Sequence, residues 1–225
     1  MILTIAAIED NVQIDRLRAG VAELSWRDGR ATAGTVAKQV KRNEQAVLSD
    51  DTGKRLCNQL SKIISGNPVV KAAARPKRFS NLMISKTTDG GRYGPHVDNA
   101  LMGTGEARLR TDLAFTLFLT PPKDYDGGEL VIHAAGMTQR VKGEAGELVL
   151  YPASSIHEVR PVSGGERIVC VGWIESLIAD ATQRELLFDL ENLRATLRQS
   201  LPPQSAELLT LDKSVANLLR MWGQT

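Results

Sequence analysis

Two residues two positions apart dominate the chemistry available to this chain. They are His96 and Asp98, within Tyr93-Gly94-Pro95-His96-Val97-Asp98-Asn99. On an extended backbone successive side chains alternate faces, so this imidazole and carboxylate point the same way and can share one metal ion. A third donor must come from elsewhere, and His157 in Ser154-Ser155-Ile156-His157-Glu158-Val159 supplies it. Two imidazoles and one carboxylate, without thiolate, are a donor set that holds iron(II) on one face and leaves the opposite positions open. The separation of Asp98 and His157 in sequence is no obstacle, because loop-closure cost grows only logarithmically with length. The remaining histidine, His133, ends the run Leu130-Val131-Ile132 and has no carboxylate two residues on, so it reads as a strand-end bystander.

Arg167 follows on the far side of Ser163-Gly164-Gly165. If those residues turn a hairpin about position 164, Val171 lies opposite His157, and Arg167 lies on the same face nearer the turn. At the strand rise, four residues place Arg167 about 13 Å from the metal donor. That distance suits a short dicarboxylate that chelates the ion at one end and meets arginine at the other. Charge agrees: iron(II) is outweighed by Asp98 together with a bound 2-oxoglutarate dianion. A fixed cation that meets a carboxylate with two parallel hydrogen bonds is therefore wanted at the distal end.

The elements that must carry these residues follow from periodicity. A first strand opens the chain at Met1–Ile8, and Ile14, Leu17, Val21 and Leu24 predict a helix over about residues 11 to 25. The glycine-punctuated stretch 26–34 reads as a loop, after which Lys41, Asn43 and Gln45 are candidates to frame the mouth of the site. Ser49 or Asp50 caps a second helix with Leu56, Leu60, Ile63 and Ile64 on its inner face and Gly66 just past its end. Strand patterns follow at Phe79 to Ile84, Asp112 to Leu119, Gly128 to His133, 146–152 and 166–174. The second and third of these are expected to pair antiparallel across the Thr120–Gly127 connection. Many short strands at this spacing argue for a sandwich or small barrel, whereas a parallel doubly wound sheet would need alternating helices. Beyond Glu175 two amphipathic helices are predicted. Leu186, Leu187, Leu190, Leu193 and Leu197 mark the first, Val215, Leu218, Leu219 and Trp222 the second, and Pro202-Pro203 separates them. The chain thus divides into an N-terminal part (1–78), a core (79–176) and a helical appendage (177–225), whose leucine stripes could seat a second copy in a homodimer.

Composition narrows the partners. With 225 residues and 42% hydrophobic side chains the chain can bury a sizeable core. Its 28 basic and 26 acidic residues are too balanced for a nucleic-acid surface or a polybasic membrane patch. No apolar run approaches the roughly 18 residues of a membrane span, and the N-terminus lacks the basic flank of a signal peptide. Cys57 and Cys170 have no metal spacing and read as buried thiols, which places the chain in a reducing cytoplasm.

With these residues in hand, the sequence resembles the iron(II)- and 2-oxoglutarate-dependent dioxygenases of the prolyl-hydroxylase type, and more closely the bacterial PKHD-type hydroxylases. The matching pieces are Tyr93 to Asn99, Arg110-Thr111-Asp112-Leu113, Tyr125-Asp126-Gly127-Gly128-Glu129-Leu130, Tyr151 to Val159 and Gly165-Glu166-Arg167, in the family's order over residues 79–175. Gly29 to Gly34, Lys41 to Gln45 and Asn217-Leu218-Leu219-Arg220 extend the likeness beyond that core. The resemblance implies a double-stranded β-helix core, with Fe(II) on His96, Asp98 and His157 and 2-oxoglutarate on Arg167. It also implies L-ascorbate as a reducing auxiliary, dioxygen and a small-molecule or peptidyl substrate, and a link to iron homeostasis. One departure concerns the tyrosine that prolyl hydroxylases often use as a second cosubstrate contact. The Leu113–Leu119 strand offers only Thr116 as a hydroxyl, with Tyr93 as an alternative. Two other classes fit the same ligands, a cupin-like metal-dependent hydrolase or isomerase and a non-catalytic iron or small-molecule binding module. The first leaves Arg167 without a role, and the second predicts no succinate with any substrate.

Overall fold

The computed structural model describes residues 1–32, 37–134 and 136–224. Two antiparallel sheets face one another. The larger has eight strands, seven of them in the order Leu3–Ala6, Glu147–Pro152, Leu113–Phe118, Arg167–Ser176, Met83–Thr87, Glu44–Ala46, Trp26–Asp28. The eighth, Pro76–Phe79, pairs with the C-terminal half of Arg167–Ser176. The smaller sheet has five, in the order Met137–Val141, Leu130–Ala134, Ile156–Val159, Arg92–His96, Lys41–Arg42. This is a double-stranded β-helix, or jelly roll, with helices packed on the outer face of its larger sheet.

Alternation along the central strands sorts side chains between two cores. Leu113, Phe115 and Leu117, with Leu148 and Leu150, face the helices and join Leu17, Leu56, Leu60 and Ile64. Ala114 and Phe118, with Val149 and Tyr151, face inward and meet Leu130 and Ile132 of the smaller sheet. All six residues of Leu113–Phe118 are buried, which explains why this strand reads as a continuous apolar run.

The helices begin where side-chain caps allow. Asp10 accepts the Val12 N–H at 2.9 Å, and the helix Asn11–Ala22 stops three residues before the expected end. Asp50 accepts the Gly53 N–H at 2.7 Å to start Asp51–Gly66. Gly66 is the last residue of that helix, not the first beyond it. Asn67 then caps Val69 and Val70 at 2.9 and 3.0 Å, opening a further helix, Pro68–Ala74, that periodicity did not separate. The tail helices, Ala181–Leu197 and Ala206–Trp222, bury Leu187, Leu208 and Val215. The tail is fastened to the body by Arg75, which pairs with Glu191; within the tail Arg184, 4% exposed, donates to the Ile178 and Ala179 carbonyls at 2.7 and 2.8 Å.

Three sequence expectations are corrected. Trp26–Asp28 is a strand paired with Glu44–Ala46; Trp26 packs half-buried beneath the Lys86 ammonium, 4.5 Å from its ring centre, and this anchor outweighs the polar neighbours. The expected loop also included Ala33 and Gly34, which lie outside the described residues. Leu113–Phe118 and Leu130–Ala134 do not pair: the first is flanked by Glu147–Pro152 and Arg167–Ser176, the second by Met137–Val141 and Ile156–Val159. A strand buried on both faces needs partners at both edges, so the intervening segment crosses between sheets. Likewise, His157 and Arg167 do not share a hairpin. Val162–Gly165 pairs with Tyr125–Gly127 and carries the chain from one sheet to the other.

The helical layer's grip on the larger sheet rests on side chains such as Leu60, which is fully buried. Leu60→Ala is expected to cost about 2–5 kcal/mol, read as a lowered urea midpoint at unchanged slope.

Candidate active site

His96 closes the strand Arg92–His96, and the adjacent ladder sets it directly opposite His157. The two rings lie 4.3 Å apart between centroids. Asp98 stands just past the strand end, with its Oδ2 3.8 Å from His157 Nε2. Donor atoms of His96, Asp98 and His157 all fall within 4.8 Å of one another, so one ion can reach all three. Among the described residues this is the one such cluster of histidine, cysteine and carboxylate side chains. His133 lies apart, with Nδ1 3.2 Å from Thr138 Oγ1.

Both imidazoles are braced in the same manner. Nδ1–H donates to the carbonyl oxygen two residues earlier, Gly94 for His96 at 2.9 Å and Ser155 for His157 at 3.0 Å. Proton placement on Nδ1 leaves Nε2 as the lone-pair nitrogen. Burial, helped by His157 and Lys41 and opposed by the Gly94 carbonyl, pushes the His96 pKa down to about 4. The ring is therefore neutral near pH 7, the state in which imidazole binds a metal. Tyr93 stacks on His96 at 3.7 Å and Tyr151 meets His157 edge-on at 5.1 Å, so each ring is held on a side away from the shared point.

Asp98 gives the clearest indication that something positive belongs here. Burial raises its pKa, against the pull of His157 and the Trp173 indole, and its Oδ2 has no hydrogen-bond partner. A buried carboxylate oxygen without a donor is costly. A divalent ion between the three side chains would occupy that lone pair, so the residues fit such an ion.

Arg167 reaches the same cavity from the opposite sheet. Its strand pairs with Leu113–Phe118 and Met83–Thr87, with Arg167 opposite Thr87. It is 2% exposed, its guanidinium carbon lies 5.4 Å from the Phe118 ring centre, and its Nε and Nη2 have no hydrogen-bond partner. Burial lowers its pKa, opposed by Tyr125 and Tyr151. Like Asp98, it is a desolvated group with polar atoms left over for a partner from outside the protein.

The cavity between the sheets measures about 120 Å³. The triad and Leu130 line one wall, and Ala114, Thr116, Tyr151, Arg167, Val169 and Trp173 the other. Lys41, Asn43 and Gln45, the candidates for framing its mouth, also line it. Lys41 is 6% exposed, with its ammonium 5.1 Å from the Tyr93 ring centre. Burial lowers its pKa to about 8, partly offset by Asp28. Thr116 and Tyr93, the hydroxyls considered for a second cosubstrate contact, both face the cavity.

Sequence reasoning passed over Tyr151, Trp173 and Tyr125. Parity could have found Tyr151, because Leu148 and Leu150 turn to the helices and so Val149 and Tyr151 must turn inward. Trp173 shares the parity of Arg167 on one strand. Tyr125 sits in a turn-rich segment with no period to read.

The comparisons with known proteins agree with this geometry. Residues 82–175 match the 2OG-Fe(II) oxygenase superfamily, and residues 181–224 match the PKHD-type hydroxylase C-terminal domain. A PKHD-type hydroxylase of Hyphomonas neptunium is 52% identical over 93% of this chain and 94% of its own length. One from Synechococcus elongatus is 44% identical over the whole of both chains. Among solved structures, a prolyl hydroxylase from Trichoplax adhaerens, in complex with a peptide fragment of the hypoxia inducible factor oxygen degradation domain, superposes with a TM-score of 0.58 at 13% identity. It covers 77% of this chain and 83% of that one. HygX from Streptomyces hygroscopicus, with nickel, 2-oxoglutarate and hygromycin B bound, gives a TM-score of 0.53 at 13% identity, over 79% and 84% of the two chains. At such identities these structures speak for the fold alone. The relatives spanning the full chain settle the rest: this chain belongs to the PKHD-type hydroxylases of the 2OG-Fe(II) oxygenase superfamily, enzymes that are iron(II)- and 2-oxoglutarate-dependent dioxygenases.

Proposed function

We propose that His96, Asp98 and His157 hold the iron(II), that Arg167 holds the distal carboxylate of 2-oxoglutarate, and that the prime substrate enters from the side closed by Lys41, Asn43 and Gln45. One observation carries this reading. A carboxylate oxygen of Asp98 and two guanidinium nitrogens of Arg167, all buried without hydrogen-bond partners, belong to residues that line a single cavity. Iron(II) with 2-oxoglutarate and dioxygen supplies the oxidation, in which 2-oxoglutarate is decarboxylated to succinate and carbon dioxide and one oxygen atom goes to the substrate as hydroxyl.

The protein's own contribution is placement. The facing strands fix three donors on one side of the ion, and the backbone-braced imidazoles keep their lone pairs turned to it. Arg167 orients the cosubstrate by a charge-assisted pair in a desolvated pocket, where such a pair is strong. Leu130, Val169 and Ala114 keep the cavity dry. No side chain is required as a general acid or base. A metal-dependent hydrolase or a sensing module on the same ligands would leave the buried Arg167 unexplained.

Further parts of the reading rest on the family. L-Ascorbate acts as the iron-reducing auxiliary, the chain works in the cytoplasm, and its role lies in iron homeostasis. The substrate is a small molecule or a peptidyl group; the fold accommodates both, as the peptide on the Trichoplax adhaerens enzyme and hygromycin B on HygX illustrate. Residues 79–176 form the dioxygenase core. Residues 1–78 and 177–225 brace it, and the exposed Leu186 and Leu193 of the tail offer a surface for a homodimer.

Adding 2-oxoglutarate to the anaerobic iron(II) protein should raise a visible charge-transfer band, and air should then yield succinate; a folded protein with neither would sink the reading. Arg167→Met keeps the volume and loses the charge. It should weaken 2-oxoglutarate binding on the order of thirtyfold or more while iron binding persists, measured by titrating that band. Asp98→Asn removes the uncompensated buried carboxylate. It should raise the thermal midpoint of the metal-free protein and abolish the further rise that iron(II) gives the wild type, both read by calorimetry.

A further inference from the structure

The Arg167 guanidinium has a neighbour that the iron and cosubstrate reading leaves without a task. Tyr125 is 3% exposed, and its hydroxyl, like Arg167 Nε and Nη2, has no hydrogen-bond partner. Burial raises its pKa and the adjacent arginine opposes that rise, so the phenol lies within electrostatic reach of the guanidinium. The phenol is thus the guanidinium's nearest polar neighbour, and Arg167 Nε and Nη2 remain for an acceptor the protein does not supply.

The ring has little freedom to do anything else. Tyr125 pairs with Gly165 in the short ladder that crosses between the sheets, two residues before Arg167. The Lys142 ammonium lies 4.4 Å from the ring centre and donates to the Tyr125 carbonyl at 2.7 Å. Gly128 closes the arrangement. A Cβ there would stand 3.0 Å from Arg167 Cδ and 3.1 Å from Tyr125 Cε2, and its φ of +69° suits glycine, so the ring and the arginine stem pack together because nothing intervenes. A phenol hydroxyl can accept from a guanidinium N–H and donate its own proton onward, which neither Phe118 nor any aliphatic neighbour can do.

We propose that Tyr125 is the positioning residue for Arg167: it holds the guanidinium toward the distal carboxylate and thereby sets the preference for a dianionic 2-oxo acid over one lacking that carboxylate. The proposal rests on the assignment of Arg167 to 2-oxoglutarate. It places the second hydroxyl of the cosubstrate site on the crossover segment, not on the central strand where Thr116 lies.

Tyr125→Phe tests it, with 2-oxoglutarate and 2-oxobutyrate as probes. Their Kd values are taken from charge-transfer titration of the anaerobic iron(II) protein, and the thermal midpoint from the metal-free protein. The variant is expected to weaken 2-oxoglutarate about tenfold, the size of one hydrogen bond to a charged group, and to leave 2-oxobutyrate within about twofold. Its metal-free midpoint should stay nearly level, because the ring, its packing and the Lys142 contact are all retained. A purely structural tyrosine would give the opposite pattern, with a lowered midpoint and equal losses for both oxo acids, and that result overturns the proposal. So does unchanged 2-oxoglutarate affinity. Failure of the underlying reading is distinguishable, since it would appear in the wild type as no charge-transfer band with either acid.

Discussion

Everything in this molecule has to accommodate two opposite charges buried around one cavity, each with polar atoms that have no hydrogen-bond partner. Asp98 and Arg167 are each held out of water, and neither can relax toward the other, because they are mounted on different sheets. An uncompensated buried charge is among the more destabilising features a fold can carry. The rigidity of the surroundings is the response. A central strand is buried on both faces, one layer of helices seals the outer side of the larger sheet, and Arg75 ties the tail to that layer through Glu191.

The division of labour between the sheets follows from period-2 alternation. On the larger sheet, Leu113, Phe115 and Leu117 stabilise the protein against the helices, while Ala114 and Thr116 line the cavity and Phe118 packs toward the smaller sheet; only Phe115 also touches the cavity. Stability and chemistry thus use opposite faces of one strand. Substitutions on the helix side can change stability with little effect on the site, and those on the cavity side the reverse.

Much of this was legible before any coordinates. His96, Asp98, His157 and Arg167 were singled out by type and spacing, and the structure brings all four to one cavity. The route to Arg167 was nonetheless wrong. A hairpin register made its distance from His157 sensible, whereas the two residues belong to facing sheets and meet across the interior. The reason is general: alternation identifies a strand and its faces but carries no information on which strand lies beside it, and jelly-roll connections cross between sheets. Helix positions were readable because periodicity and caps are local, as at Ile14, Leu17 and Val21 in the first helix and Asp50 before the second. The strand Trp26–Asp28 was not, since a single half-buried indole decides it. Tyr125 shows the limit most clearly, because its place beside Arg167 depends on a two-strand ladder and the absence of one Cβ at Gly128.

The bracing of the two histidines by their own preceding carbonyls has a consequence for metal choice. Because each imidazole is oriented by backbone two residues away, the fold itself turns both Nε2 atoms to the shared point. A ready-made site of two nitrogens and one oxygen ranks divalent ions by the ordinary affinity series, in which iron(II) stands below nickel, copper and zinc. Geometry of this kind gives the protein little means of refusing a competitor. Correct metallation is then decided by which ions the surroundings leave free, and an excess of a tighter-binding metal acts as an inhibitor that folding has already admitted.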